Sequence, residues 1–557
     1  MQVEVRPAML TWARERSRLD LAYFDKRFPR LQQWERGEAR PTLKQLEDFA
    51  KATHTPIGFL FLPEPPEERL PIRDLRTVVH GPARPSPDLL DTIYAMQRRQ
   101  DWLREERLEC EVGALEFVGS ARLSDDPSAV GQEMRRITGV GEGWASAVST
   151  WEGAVSELRR RIEQLGVMAV VNGVVGNNTH RKLNVDEFRG FALTDPYAPL
   201  IFVNGADAKS AQMFTLAHEL AHVWLGSEGE GVSGFDGIFP GDTRVEKFCD
   251  QAAAEFLVPA QELKEFWRGV KGESEPFEQL ARRFKVSPIV IGRRAMDLRL
   301  VSRETFFDFY NAYTKRERQR VKPAGGGDFY NNQNTRVGAK FATSVVSAAL
   351  EGAAELQGGL RLDRPSRWRV PGVRASAGNG PAMTKAPVFL LDSDVFIAAK
   401  NAYYAFDICP GFWKSLIHHH REGRVFSIDR VRSELLTGRK TEDLVQWVNQ
   451  ELPDGFFLEV DNEDVMAAYT EIMLWAQRHQ VYLDYAKAKF ATGADGWLVA
   501  YARVHGSIVV TNEQRAPDSK REIKLPDVCE QFGVTPASTF SILKTLAISF
   551  DWTGGAR

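Results

Sequence analysis

Apolar positions recur along this chain with two different periods, and the alternation between them divides it. Leu43, Leu46, Phe49 and Ala50 follow a glycine- and proline-punctuated turn in LQQWERGEARPTLKQLEDFAKAT at the three- and four-residue spacing of one helix face. Residues 1–62 therefore read as a helical module. The proline-rich stretch FLPEPPEERLPIRDLRT has extended bias and opens a connector and helical segment over 63–165. That segment carries the helical patterns LLDTIYAMQRRQDWLREERL and AVSELRRRIEQLG. The period then shortens. GVMAVVNGVV, FRGFALTD and APLIFVNG alternate or run apolar with Val, Phe and Ile, which predicts strands. Helical spacing resumes at FTLAHELAHVWLG and continues to Lys315, closing a unit over 166–315.

Beyond it the pattern changes again. A glycine-rich loop and one helix occupy 316–355, and 356–386, rich in Gly, Pro and Arg without periodicity, reads as a linker. VFLLDSDVFI, RVFSIDRVRSELLTG, DGFFLEV, ADGWLVAYARVHG and SIVVTNE then alternate strand and helix, predicting a parallel sheet with covering helices over 387–557. The fold class expected is multidomain α and α/β. It comprises an N-terminal helical domain, an α+β domain around the histidine-bearing helix, and a C-terminal α/β/α domain.

Composition narrows the picture without changing it. At 557 residues the chain exceeds one core, so three or four domains are expected. Hydrophobic content of 43% with 26% charged residues is that of a globular protein. The net charge of −3 provides no global basic field, so a nucleic-acid contact would need a local patch or a metal site. Cys110, Cys249, Cys409 and Cys529 lie far apart with no CxxC pair, against a disulfide framework or a cysteine-zinc site. The opening MQVEVRPAMLTWARERSRLD carries charges throughout, and no uncharged apolar run approaches a membrane span. A cytoplasmic protein is expected, possible as a homo-oligomer.

The first candidate chemistry lies in FTLAHELAHVWLG. Residues four apart share a helix face, so His218 and His222 can present both imidazoles to one metal. Glu219 sits one position round, able to hold a water on the metal without ligating it. Zn²⁺ needs a third protein ligand and an open position for that water, whose proton the glutamate can then take. The downstream helix RVEKFCDQAAAEFLVP offers acids for the third place. Three stretches, Gly190–Ala192 with Pro199–Asn204, Phe214–Gly226, and Glu246–Pro259, resemble in order the motifs of the ImmA/IrrE family of metallopeptidases. The resemblance implies Glu246 as third zinc ligand, Asp250 as a partner for a histidine, and Glu255 as the alternative ligand. It also implies proteolysis or, as in some relatives, an antitoxin role resting on binding.

The second candidate chemistry is acidic. Strand Phe389–Leu391 ends at Asp392, and Asp394 lies two residues on, on the same side if the strand continues. Glu434 is expected at the head of a helix after RVFSI, Asp495 opening a helix, and Glu513 ending the strand SIVVTNE. Carboxylates at the C-terminal ends of parallel strands mark the site of an open α/β sheet. Hard oxygen ligands without histidine suit Mg²⁺ or Mn²⁺, and such ions can activate water for phosphodiester cleavage. Phe412–Trp413, Asp495–Ala502, Gly506–Glu513 and Lys524–Val534 resemble a bacterial branch of the PIN nuclease domain. That resemblance implies Asp392, Glu434, Asp495 and Glu513 as the acidic set, Asp394 beside them, and Thr511 and Asn512 shaping the neighbouring loop. His418–His420 reads as an exposed helix end whose three side chains diverge.

Trp34 to Ala50 resembles the second half of an XRE-type helix-turn-helix domain. The preceding segment, Leu19 to Phe28, is short for a recognition helix, and residues 1–56 hold eleven Lys and Arg against eight Asp and Glu, a slight excess for a phosphate-binding face. A protein-contact module is the alternative. Met383 stands where a free PIN protein would begin, which suggests two adjacent reading frames fused into one chain. The resemblances together imply a fused toxin–antitoxin. In it a PIN-like ribonuclease acting on RNA is restrained by intramolecular contact with an XRE–ImmA/IrrE-like module. The alternatives are a regulatory zinc peptidase that cleaves a repressor protein, with an inactive or merely binding C-terminal domain, and an autorepressor bound to operator DNA.

Overall fold

The computed structural model describes residues 2–68, 85–226, 244–319, 386–437 and 442–550. The chain packs as two compact units, one of residues 70–351, the other joining residues 1–69 to 352–557. The glycine-rich segment from 320, the linker with its five arginines between Arg361 and Arg374, and Met383 lie outside the described residues. Among the described residues no helix is long and apolar enough to cross a membrane.

The 70–351 unit is built on three fully buried strands: β1 (Met168–Asn172), β4 (Gly190–Leu193) and β5 (Leu200–Asn204). Between the first two lies a polar hairpin, β2 (Val174–Val175) and β3 (Asn178–Lys182). The sheet order is β1-β5-β4, with β1 parallel and β4 antiparallel to β5. Burial on both faces explains why these strands read as apolar runs rather than as alternations. The helix Lys209–Leu225 packs against β4 and β5 and is buried around almost its whole circumference, as its mixed apolar sequence requires. The helix Arg244–Leu257 lies beside it. A third helix, Pro127–Thr138, closes on Arg244–Leu257 at Gly131, where a Cβ would meet Ala252 O at 2.6 Å. The helix Pro87–Glu109 is tied to the same unit. Ser86 donates its N–H and its hydroxyl to Glu187 at 2.8 and 2.6 Å, and Arg181 of β3 pairs with Asp88 and Asp91. Packing thus joins helices from 86–165 to the strands that follow them, where the linear pattern sets them apart.

In the other unit the five strands are all parallel in the order β10-β9-β6-β7-β8. They are β6 (Phe389–Leu391), β7 (Val425–Ile428), β8 (Phe457–Leu458), β9 (Ile508–Val510) and β10 (Pro536–Ala537). The chain winds outward from β6 to β8 on one side and returns to β9 and β10 on the other. The switch point therefore falls between β6 and β9, where an open sheet leaves a crevice beyond its carboxyl ends. Three sequence expectations shift here. β6 stops at Leu391, because Asp392 accepts the Ser393 N–H and caps the helix Ser393–Ala398, so Asp394 lies in a first helical turn, not on a strand. Glu434 occupies the last turn of Asp429–Leu435 rather than its head, since that helix begins directly where β7 ends. Glu513 lies three residues past β9.

Residues 1–69 add the helices Pro7–Ser17, Leu21–Arg27, Leu31–Glu35 and Leu43–Thr53 and the turn Ile57–Phe61. A reciprocal Thr42–Gln45 capping box starts the fourth helix. Phe24, Phe28, Trp34 and Phe49 form its aromatic centre. This core is continuous with that of the parallel sheet domain.

One residue sets the approach of sheet and helix in the 70–351 unit. A Cβ on Gly190 would stand 2.5 Å from Thr215 Cγ2, 2.8 Å from Phe202 O and 3.0 Å from Glu219 Oε1. Gly190→Ala is expected to cost about 1–3 kcal/mol by overpacking, read from denaturant unfolding of the full chain. Parental stability in that variant would refute the close approach.

Candidate metal centres

The helix Lys209–Leu225 carries His218, Glu219 and His222, all buried, and the neighbouring helix brings Glu246 to them in its first turn. His218 Nε2 lies 3.1 Å from His222 Nε2 and 3.2 Å from Glu246 Oε2, and His222 Nε2 lies 3.4 Å from Glu246 Oε1. On its far side His218 Nδ1 donates to Asp250 Oδ1 at 2.9 Å. That bond assigns the ring proton to Nδ1 and turns Nε2 inward. Burial opposes charge on His218, but the hydrogen bonds with Asp250 and Glu246 override it and raise its pKa well above the ordinary value. Burial likewise opposes ionised Glu246, and the bond from His218 overrides it, so that its pKa is lowered. The centre is therefore wired for positive charge.

The donor set fits zinc. Four-coordinate zinc with bonds of about 2.0–2.1 Å separates its donors by ~3.3 Å, and the three separations here are 3.1, 3.2 and 3.4 Å. Glu219 is fully buried on the same helix, with Gly190 of β4 leaving room for its carboxylate. Glu255, the alternative ligand, is occupied elsewhere. It pairs with Arg294 and accepts from Gln132 Nε2 at 3.2 Å. Cys249 lies between Glu246 and Asp250, and burial followed by the Glu246 charge pushes its thiol well above its usual range. It stays a thiol.

The acidic residues gather at the switch point of the parallel sheet. Asp392 is buried, its Oδ2 3.3 Å from the Thr511 hydroxyl, which also lies 3.0 Å from Asp394 Oδ2. The Asn512 N–H donates to the same Asp394 oxygen at 2.7 Å. Asp394 Oδ1 is buried with no hydrogen-bond partner. Glu434 Oε1 accepts from the Ala494 N–H at 3.0 Å, directly before Asp495 opens its helix. Glu513 accepts from the Leu525 N–H at 2.8 Å and from Lys524 Nζ at 3.3 Å. Burial first, then the charges of Asp394, Asp495, Glu513 and Glu434, push the Asp392 carboxyl well above the usual range. Four acids thus bear on Asp392. Burial raises Asp394 to about 6, and Cys529, buried beside Asp392, Asp495 and Glu513, is pushed up to about 12.

Hard oxygens, mutual repulsion and one orphaned buried oxygen are the chemistry of a Mg²⁺ or Mn²⁺ site. The cluster is more open than the histidine centre. Among the described residues, trios of potential ligand atoms within 4.8 Å occur at His218–His222–Glu246 and His418–His419–Glu422, not among these acids. The second trio corrects the expectation that the histidine tract diverges. His418 and His419 both reach Glu422, at 3.3 and 2.6 Å, because residues three and four apart meet at a helix end. Gly190, Lys524 and the Asn512 N–H carried no signal in the pattern of apolar positions.

Without a cation the buried acids link stability to pH. The Asp394 pKa rises from 3.8 to about 6 on folding, so its contribution is fully present below 3.8 and is lost as pH rises through about 6. In chelator, the stability of the parent relative to Asp394→Asn should fall across that window by calorimetry. A constant difference would contradict it.

Comparison with known proteins divides the chain in the same way as its two centres. Residues 389–550 match a domain of unknown function, DUF4411. Over 96 residues the chain is 30% identical to the radiation response metalloprotease IrrE of Deinococcus radiodurans, covering 17% of this chain and 29% of that protein. Over 129 residues it is 28% identical to the protein of the same name from Deinococcus deserti, covering 21% of this chain and 45% of that protein. The chain thus spans less than half the length of these curated relatives. Residues 163–296, which hold the histidine centre, match the IrrE N-terminal-like domain, a metallopeptidase-type domain.

Proposed function

We propose that residues 163–296 work as a regulatory zinc metallopeptidase whose substrate is a repressor protein. The observation that carries this reading is the triangle of His218 Nε2, His222 Nε2 and Glu246, at the spacing of tetrahedral zinc ligands. Held by these three residues, zinc would supply Lewis-acid polarisation of a carbonyl and acidify water. The chain's own residues do the rest. Asp250 orients His218 through Nδ1. The Glu219 carboxylate takes a proton from the attacking water and returns it to the departing amine. The buried walls of the helix Lys209–Leu225 exclude competing solvent.

Glu219→Gln keeps the shape and the ligand set and removes the base. It is expected to retain zinc by elemental analysis and to lose roughly 10²–10⁴-fold in cleavage of a peptide library. His218→Ala should lose the metal as well. Undiminished cleavage by Glu219→Gln would end the assignment.

A second reading is favoured by the Asp392–Asp394 pair at the switch point with its unbonded oxygen. In it the chain is a fused toxin–antitoxin whose C-terminal domain hydrolyses RNA. Asp392, Asp394, Glu434, Asp495 and Glu513 would hold Mg²⁺ or Mn²⁺, which would activate water and stabilise the leaving oxygen. Thr511 and the Asn512 N–H fix Asp394, and Lys524 partly neutralises Glu513. The full chain should then cleave RNA only with Mg²⁺ or Mn²⁺, and Asp392→Ala or Asp495→Ala should each abolish it. Cleavage that persists in both variants removes this reading. Restraint by binding rather than by zinc chemistry further requires that Glu219→Gln leave host cells no sicker than the parent does. Growth arrest with Glu219→Gln that vanishes on adding Asp392→Ala would assign the restraint to the peptidase.

A further inference from the structure

Residues 1–69 share a core with the acidic domain. In the turn Ile57–Phe61, residues Gly58, Phe59, Leu60 and Phe61 are buried. Phe61 stands edge-on to Tyr469 and Trp497, with centroids 5.3 and 5.7 Å away, and those two rings stack at 3.6 Å. A Cβ on Gly58 would lie 2.5 Å from Met473 Sδ, 2.8 Å from Tyr469 Oη and 3.0 Å from Ala491 Cβ. A larger side chain there must displace Met473, Tyr469 and Ala491 or the turn itself. Beside the seat Glu47 pairs with Arg430, whose guanidinium lies over the Trp497 ring at 5.4 Å.

This seat adjoins two of the helices that bring acids to the cluster. Trp497 follows Asp495 by two residues in the helix Asp495–His505. Arg430 precedes Glu434 by one turn in Asp429–Leu435. Inside the cluster the two helices touch through the Ala494 N–H and Glu434. Outside it they touch through Arg430 and Trp497, and that contact is gripped by Glu47 and Phe61. Like-charged carboxylates spread unless the backbone beneath them is held, and residues behind ligands set how well they bind.

We propose that residues 1–69 are a positioning clamp for the acidic domain. The turn Ile57–Phe61 and Glu47 hold the helices of Asp495 and Glu434 at the spacing at which their carboxylates, with Asp392, take up a divalent cation. The clamp rests on the reading of that cluster as a Mg²⁺ or Mn²⁺ site. Its partner surface is the C-terminal domain of this same chain.

The test is Mn²⁺ titration of the full chain by calorimetry, taking the binding component that Asp392→Asn removes. Glu47→Arg should weaken that component roughly tenfold, as loss of a support behind a ligand does, and adding Arg430→Glu should restore it. Gly58→Leu should weaken it at least as far. Because Gly58→Leu can also unfold the seat, the charge swap decides alone if that variant is misfolded. Parental affinity in Glu47→Arg overturns the clamp. If Asp392→Asn removes no component, the cation reading fails and takes the positioning role with it. Docking is scored separately, with protease sites engineered into residues 70–85 and 356–385. After both cuts the 1–69 fragment should co-elute with the C-terminal fragment, and separate elution overturns the docking itself.

Discussion

A charge removed from water needs an opposite charge within reach, and the two centres meet that demand in opposite ways. At His218 the surrounding groups are complementary, with Asp250 on one ring nitrogen and Glu246 on the other, and the imidazole is held protonated against the pull of burial. At Asp392 they are not. Burial and four further acids bear on it, and its carboxyl is pushed well above the usual range. The first centre is balanced by its own side chains and can exchange the proton between its donors for a metal with little rearrangement. The second gathers carboxylates that Lys524 offsets only at Glu513, so its charge favours protons or an added cation. The difference follows from ligand type. Imidazole donors fix a small tetrahedral site, whereas carboxylates with intervening water make a wide one, which agrees with the looser spacing of the acids.

Electrostatics of this kind needs backbone that comes unusually close. Gly190 lets β4 run against the helix of Glu219, and Gly131 lets a third helix press on the helix of Glu246. Gly58 and Gly496 do the same in the other unit. At Gly496 a Cβ would stand 2.7 Å from Met473 Cε and 3.0 Å from Tyr469 Cε2, one residue after Asp495. The contacts at Gly190, Gly131 and Gly496 lie on or against elements that bear site residues, and none of them is a ligand contact. The chemistry sits on helices whose positions are set by the absence of side chains elsewhere.

Much of this fold was legible in the sequence where burial is two-sided or periodic. β1 and β5 are buried throughout and apolar up to a closing asparagine each. The four-residue spacing of His218 and His222 on a helix is enough to bring their Nε2 atoms to 3.1 Å. The strand β3 was illegible because NTHRK is polar and held by ion pairs across to Asp88 and Asp91, which no local pattern reports. Whether Asp394 shares a strand face with Asp392 stayed open, because Val395 and Phe396 after it suit either a buried strand or a buried helix face. What decided between them was the Asp392 side chain closing on the Ser393 N–H, a contact that period counting does not weigh. The acids converged all the same, since the switch point depends on strand order and not on the residue at which a strand ends.

Chain order was the poorest guide to packing. Reading from one end, residues 1–69 precede the peptidase-type segment and would be assigned to it, yet they complete the core of a domain that begins more than three hundred residues later. The physical reason is that an amphipathic module has no means of stating its partner locally. Phe59, Leu60 and Phe61 would read as core in any protein, and only the stacked Tyr469 and Trp497 show which core they enter. Ion pairs give the same lesson at smaller scale, since Glu47 meets its distant partner Arg430 only once that residue is folded over Trp497.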